Sequence, residues 1–203
     1  MLNGILSGPE ISLALKIIYT VFFCVLVPIY WRHYGVANFL WFSDLALLLT
    51  VVALWLENRM IASMETISVL MLELVWIADF LFRLIFGTQV IGISEYMFKA
   101  DQPLFVRGLS LFHLFLPFLL LWLVYVLGYD ERAWVVQTVF FWLVMVVCFF
   151  FTRPSENINW VFGPGNQPQQ KIAPGLYLAL VLIAVPISVY LPTHLLLRKI
   201  VPK

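Results

Sequence analysis

The stretch that decides the fold is LFVRGLSLFHLFLPFLLLWLVYVL, residues Leu104–Leu127. A helix crosses a bilayer with about 20 mostly apolar residues, so this stretch is long enough to span a membrane. Its first half nevertheless carries Arg107, Ser110, His113 and Pro117. At about 100° per residue, these four side chains fall within an arc of about 120° on one helical face. Polar groups are costly inside a membrane, so this face predicts contact with a bundle interior and marks a candidate site.

The composition of the whole chain also indicates a membrane protein. Of its 203 residues, 63% are hydrophobic and 11% are charged, whereas soluble domains have about 45–50% apolar and about 25% charged residues. The net charge of +1 gives no electrostatic basis for binding nucleic acid. Cys24 and Cys148 lie in apolar runs without CxxC or Cys/His spacing. We therefore predict no disulfide framework and no cofactor.

Six apolar runs predict an all-α, polytopic integral membrane protein with a single transmembrane domain over residues 1–203. The predicted spans cover residues 11–31, 39–56, 60–86, 104–127, 134–151 and 175–197. A very short turn after residue 56 makes the second and third spans antiparallel neighbours. Pro186 and Pro192 predict kinks in the sixth span.

The loops and termini give a weaker indication of orientation. The amino-terminal MLNGILSGPE has neither a basic n-region nor an A-x-A-like cleavage site, so the first span is expected to be retained. Six spans place both termini on one side, with Arg59, Arg132, Arg198, Lys199 and Lys203 there and Arg32, Lys99, Arg107, Arg153 and Lys171 opposite. The basic tail and the short turns favour cytoplasmic termini.

The third span is the most polar of the six. Glu73, Trp76, Asp79 and Arg83 fit an arc of about 120° on one face. Asp79 and Arg83 have i,i+4 spacing and are expected to form a structural ion pair. Glu73 is then left as a deeper carboxylate, which is either neutral or part of a polar cavity.

The residue types needed for acyl transfer occur on three predicted spans. In this chemistry a hydroxyl attacks, an imidazole takes its proton, and a carboxylate orients the imidazole. His113 is the candidate base, and Asp44 or Glu73 is the candidate carboxylate. The candidate nucleophiles are Ser43, Thr50 and, less favoured, Ser110. Arg107 is expected near the interface, where it would hold a carboxylate or phosphate of the substrate.

The same residues allow other interpretations. A lone histidine on an apolar face is also typical of a hydrogen-bonded core residue. A proton or ion pathway through Asp44, Glu73, Asp79 and His113 is a further alternative, although no transporter-type repeat is visible. There is no Glu-x-x-His repeat and no second histidine at mid-depth, so we predict neither a di-iron nor a haem site and no metal.

The longest polar segment covers residues 152–174, and its Gly and Pro content excludes a continuous helix. One interpretation is a loop whose Trp160 is anchored at the membrane interface. The other is a lid over the mouth of the bundle, with Asn157 and Asn159 pointing inward. In the second case Asn157, Asn159, Trp160 and, from the third span, Trp76 would contact substrate.

Several short motifs occur in the same order as in a known family. They are YG at 34–35 with FLWFSDL at 39–45, His113 with LPF at 116–118, and WVF at 160–162 before GPG at 163–165. In these motifs the chain resembles the FAR-17a/androgen-induced-gene family. The resemblance implies a six-span or similar intramembrane hydrolase of lipid esters, notably fatty-acid esters of hydroxy fatty acids.

The resemblance also implies a threonine nucleophile in the second span and a histidine in the fourth. His113 lies close to the expected histidine, but Trp41 stands where the threonine would be, three residues before Asp44. Ser43 and Thr50 are the nearby hydroxyls that could take its place.

The leading hypothesis from the sequence is therefore hydrolysis or acyl transfer on a membrane-lipid ester. The alternative is a non-catalytic membrane subunit of a larger complex, or a binder of a lipid or hydrophobic pigment. The 18 Phe, 8 Trp and 8 Tyr residues would give such a protein ample surface for helix partners or for a flat apolar ligand.

Overall fold

Eight α-helices make up most of the computed structural model, which describes residues 11–165 and 167–201 and has no β-strand within them. The helices are α1 (Leu13–Tyr34), α2 (Phe42–Leu56), α3 (Arg59–Phe86), α4 (Leu104–Leu109), α5 (Phe112–Leu127), α6 (Ala133–Phe151), α7 (Pro174–Val185) and α8 (Leu191–Ile200). Short 3-10 turns cover Val36–Leu40, Glu95–Phe98 and Ile158–Trp160, and a π-helical turn covers Pro186–Tyr190. The all-α prediction is confirmed. The expectations for MLNGILSGPE and Lys203 concern residues outside these ranges.

Four helical stretches are long and apolar enough to cross a membrane: Leu13–Tyr34, Leu104–Leu127, Ala133–Phe151 and Pro174–Ile200. This agrees with an integral membrane protein. The other two predicted spans differ from these four. Helix α2 is apolar but has only 15 residues, whereas α3 has 28 residues and buries acidic side chains along its length.

The predicted fourth span is two helices rather than one. Helix α4 ends at Leu109 and α5 begins at Phe112. Between them the backbone tightens into i→i+3 bonds, since the amide of His113 donates to the carbonyl of Ser110 at 3.3 Å. The break lies at the polar end of the stretch, where Ser110 and His113 border a cavity.

The predicted sixth span is interrupted at Pro186, as its proline predicted. Proline has no N–H to donate to the carbonyl four residues earlier, which here is that of Leu182. The indole Nε1 of Trp142 on α6 donates to this carbonyl instead, at 2.8 Å. A π-helical turn follows and joins α7 to α8.

Helix α3 is the centre of the bundle, because it packs against α2, α5, α6, α8 and the π-helical turn. It begins after Asn58, whose side chain accepts a hydrogen bond from the amide of Ile61 at 3.0 Å. It ends at Gly87, whose φ of 71° suits glycine. The expected antiparallel pairing of α2 and α3 follows from the two-residue turn at Glu57 and Asn58. Helix α3 therefore contacts most of the other helices of the bundle.

Candidate functional site

A cavity of about 970 Å³ lies among α1, α2, α3, α5 and the loops that follow α3 and α6. Its walls combine aromatic and aliphatic side chains with a limited set of polar ones. A mostly apolar concave surface with a few convergent polar groups is typical of a ligand site. The polar side chains on its wall are Tyr30, Tyr34, Asn38, Ser43, Asp44, Glu73, Gln89, Tyr96, Ser110, His113, Asn159 and Tyr190.

The cavity contains a buried pair formed by His113 and Glu73. The distance between His113 Nδ1 and Glu73 Oε2 is 2.7 Å, and both residues are buried. With an ionised carboxylate as the acceptor, Nδ1 carries the proton and donates it, which leaves Nε2 as the basic nitrogen of a neutral imidazole. Among the described residues, Nε2 has no hydrogen-bond partner. The pair thus has the geometry of a general base held by a carboxylate.

Aromatic rings fix the orientation of this imidazole from two directions. Trp76 stacks on His113 with ring centroids 4.4 Å apart, and Phe112 stacks at 4.1 Å. The indole Nε1 of Trp76 is buried and has no partner in the part of the chain that the structure describes. Trp76 therefore both positions the histidine and offers a free donor beside it.

The three candidate hydroxyls occupy different environments. Ser43 lines the cavity, and its hydroxyl makes no hydrogen bond with any described residue. Ser110 also lines the cavity, but its Oγ lies 2.5 Å from the Tyr30 hydroxyl. Thr50 is fully buried, donates to the carbonyl of Ala46 at 2.6 Å, and is not part of the cavity wall. Ser43 is thus the hydroxyl most available to a ligand.

Asp44 lies on the wall beside Ser43. Its Oδ2 accepts a hydrogen bond from Asn38 Nδ2 at 2.9 Å. Its Oδ1 is buried without a partner in the described ranges. Asp44 is 5% exposed, so this oxygen is a polar acceptor enclosed at the cavity.

The expected Asp79–Arg83 ion pair is not present among the described residues, and this prediction was wrong. Both oxygens of Asp79 accept hydrogen bonds from the following loop, from the amides of residues 91, 92 and 94 and the hydroxyl of Ser94, at 2.7–3.1 Å. Arg83 donates to Gln89 Oε1 and lies over the Phe98 ring. Four donors in one loop satisfy the carboxylate better than one flexible guanidinium, so Asp79 anchors residues 91–94 against α3.

Two residues expected to contact substrate lie away from the cavity wall. Arg107 donates to the carbonyl of Met97 at 3.0 Å and so joins α4 to the loop after α3. Asn157 donates to the carbonyls of Gly163 and Gly165 and accepts from the amide of Phe162. Its amide group is fully used in shaping its own loop.

The other two loop residues do border the cavity. Asn159 accepts from the amide of Phe42 and donates to the carbonyl of Leu40, so it ties the loop to the start of α2. Trp160 lines the cavity with a φ of 57°, a conformation that bulky side chains rarely adopt. Pro164 and Gly165 complete this edge of the wall. The loop thus covers one end of the cavity.

One side of the cavity wall reaches the outer surface of the bundle. Leu72 and Val75 on α3 line the cavity, yet they are 45% and 43% exposed. Val181 and Val185 on α7 contribute half-buried apolar walls. These four apolar side chains thus contribute to the cavity wall from α3 and α7.

Tyr30, Asn38 and Tyr96 belong to the site but were not predicted from the sequence. Tyrosines in or beside apolar runs are ordinary membrane-interface residues, so nothing local distinguishes Tyr30 or Tyr96. Asn38 follows a glycine and precedes the second span, six residues before Asp44, but only the 3-10 turn brings the two side chains together.

No group of His, Cys, Asp and Glu residues within the described ranges has an arrangement that could hold a metal ion. The chain matches no protein-family model, no curated protein and no solved structure.

Proposed function

We propose that this protein is an intramembrane hydrolase or acyltransferase that acts on the ester bond of a lipid. The observation that carries the proposal is the 2.7 Å contact between His113 Nδ1 and Glu73 Oε2 on the wall of a large, mainly apolar cavity. A histidine held in one tautomer by a buried carboxylate is the base of the known hydroxyl-dependent acyl-transfer sites.

In this mechanism the Ser43 hydroxyl attacks the ester carbonyl, and His113 Nε2 takes its proton. Glu73 stays ionised and stabilises the imidazolium through the Nδ1–H bond. The imidazolium then protonates the departing alcohol as the ester bond breaks, which leaves an acyl-serine. A water molecule, or a second alcohol in acyl transfer, releases the acyl group by the same steps. Ser43 is preferred over Ser110 because Tyr30 already engages the Ser110 hydroxyl.

The apolar lining of the cavity supports a lipid as the substrate. Leu72 and Val75 on α3 and Val181 and Val185 on α7 line the cavity that holds His113, and we infer that the lipid enters along them. An acyl chain can follow this path without leaving an apolar environment, whereas a water-soluble ester would gain little from it. Asp44 Oδ1 and Trp76 Nε1, which have no hydrogen-bond partner among the described residues, would bind the polar part of the lipid.

The proposal includes six membrane crossings with both termini on the cytoplasmic side. Helix α3 is long enough to cross, at roughly 42 Å for 28 residues, and Glu65, Glu73 and Asp79 are buried on it rather than exposed to lipid. Helix α2 is preceded by the separate 3-10 turn at Val36–Leu40, which would complete the crossing.

Membership of the FAR-17a/androgen-induced-gene family is also part of the proposal. Three of the motifs that carry the resemblance contribute Asp44, His113 and Trp160 to the wall of the same cavity. Because these motifs are far apart in sequence but meet at one cavity, their placement supports a common function for them.

The test is covalent labelling of the purified protein with a fluorophosphonate probe. We compare wild type with Ser43→Ala, Ser110→Ala and Thr50→Ala, each checked for an unchanged elution profile in mild detergent. Wild type and Thr50→Ala should label, because Thr50 lies off the cavity wall. Ser43→Ala should abolish labelling, and Ser110→Ala should reduce it less.

A well-folded wild type that does not label would overturn the enzymatic proposal. The second candidate function, a non-catalytic binder of a lipid or pigment, would then be favoured. The buried, uncommitted Asp44 Oδ1 and Trp76 Nε1 support that candidate, since they suit a bound amphiphile equally well. Such a protein would retain a lipid or coloured ligand through purification and would lose it in Asp44→Asn.

A further inference from the structure

A second group of buried polar side chains lies outside the cavity. It consists of Glu65 and Ser68 on α3 and Gln137 on α6, all of which are 0% exposed. Five of their polar atoms have no hydrogen-bond partner in the described part of the chain: both carboxylate oxygens of Glu65, the Ser68 hydroxyl, and both amide atoms of Gln137. We call these three residues the Glu65 cluster.

Tyr190 lies on an element that adjoins both the Glu65 cluster and the cavity. It belongs to the π-helical turn, which packs against α3 and α6, the two helices that carry the cluster. Tyr190 is 1% exposed, and it also lines the cavity that holds His113. It is therefore the residue placed to connect the cluster with the cavity.

Unpartnered polar atoms in a protein interior are costly, at about 1–3 kcal/mol each, and are normally satisfied by water when the protein offers no partner. A water molecule needs two to four polar partners, and the cluster supplies carboxyl, hydroxyl and amide groups from two helices. An ionised carboxylate without a cation beside it is costlier still, and such a group binds a proton instead. No basic side chain contacts Glu65 among the described residues.

We propose that the Glu65 cluster is a proton- and water-binding site, in which Glu65 is a neutral carboxylic acid and Tyr190 connects the bound water to the cavity. In the neutral form one oxygen of Glu65 donates and the other accepts, so both can bond to water, Gln137 or Ser68. Exchange of this proton with bulk water proceeds past the Tyr190 hydroxyl.

The test is infrared spectroscopy of the full chain in lipid nanodiscs, in H₂O and in D₂O, in the region where protonated carboxyl groups absorb. Wild type should show a C=O band that shifts to lower frequency in D₂O. The band should be absent in Glu65→Gln and retained in Asp44→Asn, the matched control for the other buried carboxyl with an unpartnered oxygen. Tyr190→Phe should keep the band and slow its shift in D₂O.

Four results would overturn the proposal. Identical spectra of wild type and Glu65→Gln would mean that Glu65 is ionised. A band that never shifts in D₂O would mean that water does not reach Glu65. If the band disappeared when sodium replaced potassium in the buffer, the cluster would bind a metal cation instead of a proton. An unchanged rate of shift in Tyr190→Phe would remove the connection to the cavity.

Glutamate labelled with carbon-13 keeps the test decisive if Glu65→Gln does not fold. In wild type, the labelled glutamates should shift the band, whereas labelled aspartates should not. Glu73→Gln then excludes the other buried glutamate on α3. A band that follows labelled aspartate alone would contradict the proposal.

Discussion

Glu73 and Glu65 are two buried glutamates on the same helix, with opposite environments. They are eight residues apart on α3, which is roughly 12 Å along the axis. Glu73 pairs with His113 on the wall of an open cavity. Glu65 lies against α6 and the π-helical turn, and both of its oxygens lack a partner among the described residues. Identical side chains on one helix thus have different hydrogen-bond partners because different helices face them.

The neighbours explain the difference. Opposite Glu73, the start of α5 brings His113 to the carboxylate, and Phe112 of α5 and Trp76 of α3 stack on the imidazole. Opposite Glu65, α6 offers a neutral amide in Gln137. A paired carboxylate can stay ionised and orient a base, whereas an unpaired one is suited to hold a proton.

The largest effect is expected from removing the imidazole of His113, the proposed base. His113→Ala should lower the rate of fluorophosphonate labelling by about 10²- to 10⁴-fold, the usual contribution of a general base. His33→Ala is the matched control, because His33 lies outside the cavity and bonds to Gln102 at 2.9 Å. Equal rates for the two variants would show that His113 is a structural residue.

The next largest effect is expected as a difference in stability between variants of Glu73 and Glu65. Glu73→Leu leaves the His113 Nδ1–H buried without its acceptor, at a cost of about 1–3 kcal/mol. Glu65→Leu removes two oxygens that have no partner among the described residues and fills the space with an apolar side chain, which is often neutral or stabilising. Thermal unfolding in one detergent compares them, and a larger loss for Glu65→Leu would reverse our assignment of paired and unpaired carboxyls.

A smaller effect on labelling is expected from narrowing the access to the cavity that contains His113 and Glu73. Val75→Trp would narrow the apolar path on α3 and lower labelling by a long-chain alkyl fluorophosphonate by about tenfold, equivalent to about 1.4 kcal/mol. The control is Leu74→Trp, at a neighbouring exposed residue that does not line the cavity. A short-chain probe should react equally with both variants. A larger loss of labelling in Leu74→Trp than in Val75→Trp would contradict the proposed route past Val75.

Much of the fold could be predicted from the sequence, because hydrophobic runs determine helix positions in a membrane protein. Five of the six predicted spans correspond to helical stretches whose ends differ by a few residues, and the second begins at Phe42 because Val36–Leu40 forms a separate 3-10 turn. Glu73 and His113, each placed on a polar face of its own predicted span, line the same cavity.

The parts that could not be predicted depend on which helices meet. Asp79 and Arg83 have ideal spacing for a pair, but the amides of a loop twelve or more residues later compete for the same carboxylate. Glu65 lies in a predicted span, yet its lack of a partner depends on α6 and on the π-helical turn. Arg107 and Asn157 were expected to contact substrate, but local backbone carbonyls bind both side chains.

The smallest effect is expected at a third carboxylate, Asp130, which lies in the loop between α5 and α6. Hydrogen bonds from the Arg132 side chain at 2.9–3.0 Å lower the pKa of Asp130 from 3.8 to about 2. Because the folded pKa is the lower one, its stabilisation is complete above about pH 4–5 and is lost as the pH falls towards 2. Arg132 is exposed, so solvent screens the pair and we expect a small stabilisation. The melting temperature of wild type minus that of Asp130→Asn should fall over this range, and a constant difference would contradict the pairing.

The most direct test of the account is the labelling rate of Glu73→Gln against that of Glu65→Gln, measured in one preparation with the same fluorophosphonate. Both changes are nearly isosteric, and both remove a buried carboxyl from α3. We predict that Glu73→Gln loses at least about tenfold more labelling rate than Glu65→Gln, because only Glu73 orients the base. Equal losses, or a greater loss in Glu65→Gln, would contradict the assignment of the His113–Glu73 pair as the reactive site.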